Sequence, residues 1–429
     1  MSKKPPWRLE SPTAVLTILA LMNIINYADR ALMSPIAPLL EAPHSAGGLG
    51  LSKSQIGLIG SAFMVVHSLA SVPLGILADR FTRKYLIAIG VGLWSVATAT
   101  AGFARGFTSL FIARASVGVG EATYAPAASA LISDTFSPAV RARALAVFQM
   151  GMVLGGGIGT VVGGLVANSY GWRNAFFAFG LPGVVIALLV LLIGEKPRTA
   201  ADIAMSQTLR RQSSFATQAK GFMKSKAWIW INVSGIFITF FVGALVFWGP
   251  TFILESQYGG KVELLGRAAT TFGGIAVPMA VAGALVGSLV ADRLDKKRPG
   301  EGRLRAVAYG TIAVIPLTLI GVFATQSVVV FGAMGLAVFF MSWYVGPILA
   351  ALHEVVGVDQ RGVATGAYLL LVHLLGDAIS PWVVGQVASS TGSLRIGLVC
   401  ATGALAFGAG AALLALPHAR KIAGITQGR

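Results

Sequence analysis

Two acidic and two basic side chains sit where the surrounding sequence is otherwise apolar. Asp29 and Arg30 lie in the run from Ala14 to Pro38, and Arg114 and Glu121 in the run from Thr108 to Ser133. An ionised group in hydrocarbon costs several kcal/mol unless it is paired or hydrated, so these are the positions at which proton transfer or anion binding would take place. Arg114 and Glu121 are seven residues apart, which on a helix puts them on one face, about 10 Å apart along the axis and facing the same cavity. Asp29 and Arg114 fall at similar depths within their runs, so an ion pair between them is feasible. Two acids and two bases sum to zero, and that balance admits two readings. One is a fixed ion-pair network that holds helices together. The other is a switch in which protonation of Asp29 or Glu121 frees an arginine for an anionic group. We expect Asp29 and Glu121 to take part in proton coupling, and Arg30 and Arg114 to meet the substrate.

The second half of the chain is poorer in charge. His373 and Asp377 are four residues apart and so stack on one helical face, either as a hydrogen-bonded packing pair or as a gate. His67 stands alone in an apolar run, as a satisfied structural histidine or as a proton carrier, and His353 and Glu354 close another run, where hydration or a gate accounts for them. Phe240, Phe241, Trp248, Trp343 and Tyr344 supply aromatic surface, part of it for lipid or interfacial belts. Phe240, Trp343 and Tyr344, with His373 and Asp377, are the expected substrate contacts. An ionic wall in one half and an apolar wall in the other suit an amphiphile better than a sugar.

The elements that carry these residues follow from composition. The 429 residues are 55% hydrophobic and 11% charged, too little polar surface to solvate a compact soluble body of this length. Apolar runs long enough to cross roughly 30 Å of hydrocarbon at about 1.5 Å per residue occupy residues 14–38, 54–77, 85–104, 108–133, 144–168 and 175–194, and then 227–254, 268–291, 306–323, 328–352, 363–389 and 394–416. The expected architecture is therefore an all-α membrane protein of twelve transmembrane helices. Residues 1–194 form one six-helix bundle, 195–226 a cytoplasmic linker and 227–429 a second bundle. The basic start (Lys3, Lys4, Arg8) resembles that of a signal peptide, but the run that follows is long and has no small-residue cleavage site, so we take it as the first span.

The net charge of +17 would suggest nucleic acid in a soluble protein, but here the cations sit in short clusters between apolar runs. With the N-terminus inside, only Lys53, Arg105, Arg173, Lys261, Arg267 and Arg395 of the 33 Lys and Arg fall on the outer face. Arg30 and Arg114 lie within spans, and all the others are cytoplasmic. The asymmetry places both termini in the cytoplasm, and the basic surplus reads as topology, with no nucleic-acid partner. The 195–226 stretch is either a flexible tether or a segment lying on anionic lipid through Arg210, Arg211, Lys220, Lys224 and Lys226.

The two halves repeat one signature. Gly75-Ile76-Leu77-Ala78-Asp79-Arg80-Phe81-Thr82-Arg83-Lys84 follows the second span, and Gly287-Ser288-Leu289-Val290-Ala291-Asp292-Arg293 with its basic tail follows the eighth. The positive-inside rule explains the lysines and arginines but not the shared Gly-x-Leu-x-Asp-Arg. On these residues the chain resembles the Major Facilitator Superfamily, whose loop signature is G-x-L-[AS]-D-R-x-x-R-[KR]. The string Arg114-Ala115-Ser116-Val117-Gly118-Val119-Gly120 is similar to that family's R-x-x-x-G-x-G element. The resemblance implies two pseudo-symmetric bundles, a substrate cavity between them near the midplane and alternating access. It implies gating roles for Asp79, Arg80, Arg83, Asp292 and Arg293. Glycines 155, 156, 157, 159 and 163 resemble the superfamily's antiporter element but lack its proline, which leaves export and import both open.

Within the superfamily, Asn26-Tyr27-Ala28-Asp29-Arg30, Gly118-Val119-Gly120-Glu121-Ala122-Thr123-Tyr124, Gly171-Trp172-Arg173 and His373-Leu374-Leu375-Gly376-Asp377-Ala378 with Pro381 look like Spinster-type carriers. That resemblance implies movement of lysophospholipids or phosphorylated sphingoid bases, with proton coupling in some members. The expected protein is a secondary active transporter of an anionic-headgroup lipid, in a bacterial inner membrane, acting as a monomer with membrane lipids and protons as its partners. It needs no cofactor beyond the proton gradient. The alternatives are a proton-coupled symporter for a small organic anion such as a sugar acid, and a non-transporting sensor. There is no His-Glu-x-x-His, Gly-x-Ser-x-Gly or P-loop string, and Cys400 is the single cysteine, so neither an enzyme nor a bound metal is expected.

Overall fold

The computed structural model describes Leu9 and residues 11–78, 81–194 and 221–427. Among the described residues the chain is helical apart from turns and a single isolated bridge between Leu9 and Ile193. In a bilayer no water is available to satisfy stray backbone groups, and a helix satisfies them within its own segment. The first six passes are α1 (Pro12–Glu41), α2 (Lys53–Ala78), α3 (Arg83–Ala101), α4 (Phe107–Thr135), α5 (Pro138–Tyr170) and α6 (Trp172–Leu191). The second six begin with α7 (Lys226–Tyr258), α8 (Leu265–Lys297) and α9 (Gly302–Phe323). The tenth pass is divided into α10 (Ser327–Met341) and α11 (Pro347–Glu354), the eleventh into α12 (Arg361–Val372) and α13 (Ser380–Thr391), and α14 (Leu394–Gln427) is the last.

Eleven passes are long and apolar enough to cross a membrane by length and composition. The remaining one, α4, carries Arg114 and Glu121 among many small and hydroxylated residues, and packs against α2 and α3 on either side. The described helices fall into two compact units, one with α1–α6, the other with most of the chain from α7 onward, while the segment Lys261–Thr270 at the start of α8 groups with the first. Residues 195–220, most of the expected linker, lie outside the described residues, as do Asp79 and Arg80.

In the first unit α1 lies along α5, and the sequence of α5 shows why it can. Gly151, Gly155, Gly159 and Gly163 recur every four residues, so they form a stripe down one face. A Cβ on Gly151 would meet Asn23, one on Gly155 would meet Tyr27 Cβ at 2.8 Å, one on Gly159 the Ala28 Cα at 2.7 Å, and one on Gly163 the Leu32 side chain at 2.7 Å. Small residues give helices in lipid their close approach, since apolar surface alone does not drive them together there. Gly156 is different: a Cβ there meets nothing within 4 Å.

The second unit breaks its helices at proline. Pro347 restarts the tenth pass after a 3₁₀ turn at Ser342–Tyr344, as a residue without an N–H does most easily at a helix start. In the eleventh pass a π turn at His373–Asp377 precedes α13, with Ala378 N donating to His373 O at 3.0 Å. Pro381 has no N–H for the carbonyl of Asp377, and Ser380 Oγ supplies a donor to it at 3.3 Å. From α7, Trp248 Nε1 donates to Pro381 O at 2.9 Å and Thr239 Oγ1 to Val372 O at 3.0 Å, so the break is held from both ends.

The α1–α5 seam makes a specific prediction. Gly159→Val forces a branched side chain into the α1 backbone and should lower stability by about 2–3 kcal/mol, whereas Gly156→Ala should leave it within about 0.5 kcal/mol. Thermal unfolding of the purified variants in detergent checks both; equal melting temperatures would mean that the helices separate at little cost.

Candidate functional site

The charged residues of the first unit meet at the seam between α1 and α4. Two glycines of the Arg114–Gly120 string bring α4 close to its neighbours on both sides. A Cβ on Gly118 would sit 2.6 Å from Phe63 O of α2, and one on Gly120 would sit 2.6 Å from Trp94 N of α3. With α4 held there, Arg114 and Glu121 turn one face toward α1, as their spacing predicts.

Asp29 and Arg114 pair as their depths suggest. Arg114 Nη1 donates to Asp29 Oδ1 at 2.8 Å, and both side chains are sealed from solvent. The second carboxylate oxygen of Asp29 accepts from Thr98 Oγ1 of α3 at 2.6 Å. A buried charge pair is tolerated when its remaining lone pairs are also satisfied, and Thr98 does that here. Two turns further along α4, Arg30 Nε donates to Glu121 Oε2 at 2.5 Å. Glu121 is fully buried, and its Oε1 has no hydrogen-bond partner. Arg30 Nη2 lies 3.3 Å from His67 Nε2. Adjacent residues of α1 thus serve two sites a double turn apart on α4.

Phe63 joins the two pairs. Its ring centroid is 5.4 Å from the guanidinium carbon of Arg30 and 5.4 Å from that of Arg114, while Tyr27 lies 4.9 Å from Arg30. Cation–π attraction strengthens when the cation is desolvated, so one aromatic ring attracts both arginines. Beside the Glu121 end of the seam, Tyr124 Oη lies 2.6 Å from Asn23 Oδ1 and 2.8 Å from Asn26 Oδ1, and Asn23 Nδ2 donates to Phe148 O of α5 at 2.6 Å. These hydrogen bonds tie α1, α4 and α5 together beside the charges.

Of the two arginines expected to meet an anion, Arg114 is enclosed by Asp29 and Phe63, and only Arg30, with 18% of its side chain exposed, reaches the surface. His67 belongs to the Arg30 pair. Thr98 and Phe63 carry no sequence signal of their own: a threonine and a phenylalanine in apolar runs are unremarkable until their neighbours are known.

In the second unit His373 Nδ1 lies 2.8 Å from Asp377 Oδ2 across the π turn, with Asp377 Oδ1 unpartnered. Phe240, Trp343 and Tyr344 are each half-buried, and Trp343 packs on Phe339 and Phe340. Phe241 and Trp248 are fully buried in helix packing and offer no surface to a ligand. Of the expected gating residues, Arg83 pairs with Asp134 at the end of α4. Asp292 meets Arg303 at 3.7 Å, and Arg303 also binds Asp295 at 3.1 Å and pairs with Glu354. Arg293 is exposed and stands outside that cluster.

Comparison with known proteins places this geometry in a family. A family model described as the Major Facilitator Superfamily matches residues 19–381. Protein spinster of Drosophila melanogaster is 28% identical over 387 residues, which cover 87% of this chain and 62% of the fly protein. Protein spinster homolog 1 of Homo sapiens is 28% identical over 390 residues, covering 87% of this chain and 72% of the human one. Among solved structures, a bacterial homolog to the human lysosomal transporter Spinster, inward-facing and unoccupied, superposes with a TM-score of 0.78 at 20% identity over 98% of both chains. A D-xylose-proton symporter does so with a TM-score of 0.72 at 16% identity, over 94% of this chain and 97% of that one, which shows a shared fold. The family match across most of the chain, the twelve helical passes among the described residues and the repeated loop signature agree: the chain belongs to the Major Facilitator Superfamily of transporters, and its sequence is similar to those of Spinster proteins.

Proposed function

We propose that this protein is a proton-coupled carrier of an amphiphile with an anionic headgroup, working by alternating access in a bacterial inner membrane with both termini in the cytoplasm. The observation that carries the reading is the Arg30–Glu121 pair. Glu121 is buried with one oxygen unpartnered, and its one ionic partner is the arginine that reaches the surface. Protonation of Glu121 removes the charge that holds Arg30, and a guanidinium released at the surface attracts an anion such as a phosphate bidentately. Loss of the proton restores the pair and expels the anion. The Glu121 carboxylate and the headgroup thereby compete for one side chain, so proton and headgroup are bound and released together. His67, 3.3 Å from Arg30, lies where a proton passing to or from Glu121 can be held.

Asp29 and Arg114 play a different part in this scheme. Their pair is enclosed and completed by Thr98, so it acts as the fixed member that sets the register of α1 on α4. The lipid class rests on the resemblance to Spinster-type carriers, and the aromatic residues Phe240, Trp343 and Tyr344 of the second unit are the proposed contacts for an apolar tail, with His373 and Asp377 beside them.

In proteoliposomes with an imposed proton gradient, Glu121→Gln should abolish gradient-driven movement of a fluorescent lysolipid while leaving the melting temperature near that of the wild type. Retained gradient dependence would remove Glu121 from the coupling. Proton flux on addition of small organic anions, with no lysolipid movement, would favour the organic-anion symporter.

The fixed pair should behave otherwise. Arg114→Met leaves Asp29 buried without its cation and should cost about 3–5 kcal/mol, while Asp29→Asn combined with Arg114→Met should cost less than the sum of the two single changes by about 1 kcal/mol or more. Unfolding of the three variants in detergent measures that difference; strict additivity would mean that the pair contributes nothing as a unit.

A further inference from the structure

The cytoplasmic ends of α8, α9 and α14 enclose a cleft of about 460 Å³ lined by Lys297, Arg298, Pro299, Glu301, Arg305 and Arg420. Four cations thus surround one carboxylate. Glu301 is buried and already engaged: Arg305 holds its Oε2 through Nη2 at 2.9 Å and Nε at 3.2 Å, and Arg420 approaches its Oε1 at 3.7 Å. Lys297 and Arg298 are exposed, and their side chains have no hydrogen bond or ion pair among the described residues. The nearest acids in sequence, Asp292 and Asp295, are taken by Arg303.

Four cations share the single carboxylate of Glu301, and the repulsion left among them is relieved by a bound anion. The turn that presents them is fixed: Arg298 N donates to Leu294 O, and Glu301 N and Gly302 N both donate to Arg298 O. The three helices that end at the cleft also carry exposed apolar residues. Val286 on α8, Ile312 on α9 and Leu413 on α14 are exposed, and each lies on the same helical face as Lys297, Arg305 and Arg420 respectively, two to three turns deeper along its helix. A ligand seated among the cations would therefore find exposed apolar side chains further along each of the three helices.

We propose that this cleft is a binding site for the phosphate of an anionic lipid headgroup in the adjoining leaflet, with the acyl chains lying along α8, α9 and α14. The site lies wholly in the second unit and uses none of the residues assigned to the transported amphiphile. Its ligand is a resident of the membrane.

The test uses the full chain in a neutral detergent, with dihexanoyl phosphatidic acid as probe and dihexanoyl phosphatidylcholine as control, by microscale thermophoresis. Phosphatidic acid should bind at least tenfold more tightly than phosphatidylcholine, and Lys297→Gln with Arg298→Gln should weaken it tenfold or more without moving the melting temperature. Arg420→Gln should weaken it severalfold. Arg141→Gln with Arg143→Gln, an equal loss of charge elsewhere, should leave it unchanged, and the tenfold loss from Lys297→Gln with Arg298→Gln should recur in an Arg30→Gln background, where the proposed transport site no longer holds the probe. Equal weakening by the Arg141 and Arg143 pair would reduce the effect to bulk charge and overturn the site. Loss of binding in Arg30→Gln alone would assign the probe to the transport pathway and overturn the cleft, while leaving the proposed function standing. Competition by inorganic phosphate at the lipid's own concentration would overturn the lipid as ligand in favour of a soluble phosphate.

Discussion

Four ionised side chains in a membrane-embedded helix seam impose the central constraint on this protein, because in hydrocarbon each must find a partner of opposite charge. The cost of an unpaired buried charge far exceeds what a single helix contact returns, so α1 and α4 have one register in which both Asp29–Arg114 and Arg30–Glu121 close at once. Thr98 then satisfies the second oxygen of Asp29, and the Phe63 ring contacts both guanidinium groups. Electrostatics sets the register, and packing has to permit it.

Packing permits it through missing side chains. The glycine stripe on α5 lets α1 lie against it over three turns, and Gly118 and Gly120 let α4 approach α2 and α3. The glycine run of α5 resembles an antiporter element in sequence; in the structure its regular members are spacers behind the helix that carries Asp29 and Arg30. The two pairs differ in a way that matters for function. One is enclosed with both oxygens of its carboxylate bonded, the other has a partly exposed arginine and a carboxylate oxygen with nothing bound to it. A switch needs a member whose partner can change, and only the second pair has one.

The second unit solves a different problem. It holds few buried charges, and its irregularities are in the backbone: a 3₁₀ turn before Pro347 and a π turn before Pro381. Each break leaves carbonyls that neighbouring groups must satisfy, and Ser380, Thr239 and Trp248 do so for the eleventh pass. His373 and Asp377 sit on that π turn, where the extra residue per turn rotates them relative to an unbroken helix. Ionic design in one half and backbone design in the other divide the molecule as the distribution of charge along the chain suggests.

Much of this was determined by the sequence alone. Twelve passes, the six-plus-six arrangement and the repeated loop signature are local in the chain, since span length, apolarity and charge asymmetry need no knowledge of neighbours. The same holds for the shared face of Arg114 and Glu121, which helical periodicity dictates, and the depth argument was enough to pair Asp29 with Arg114. The tertiary structure decided what depends on the facing helix. It placed His67 beside Arg30, recruited Thr98 and Phe63, and buried Phe241 and Trp248 away from any ligand. It also gathered Arg303, Asp295 and Glu354 into the loop cluster with Asp292, and drew Arg420 to the cations that follow α8. Periodicity tells which residues of one helix share a face, but which other helix that face meets is a property of the packed bundle, and no single segment encodes it.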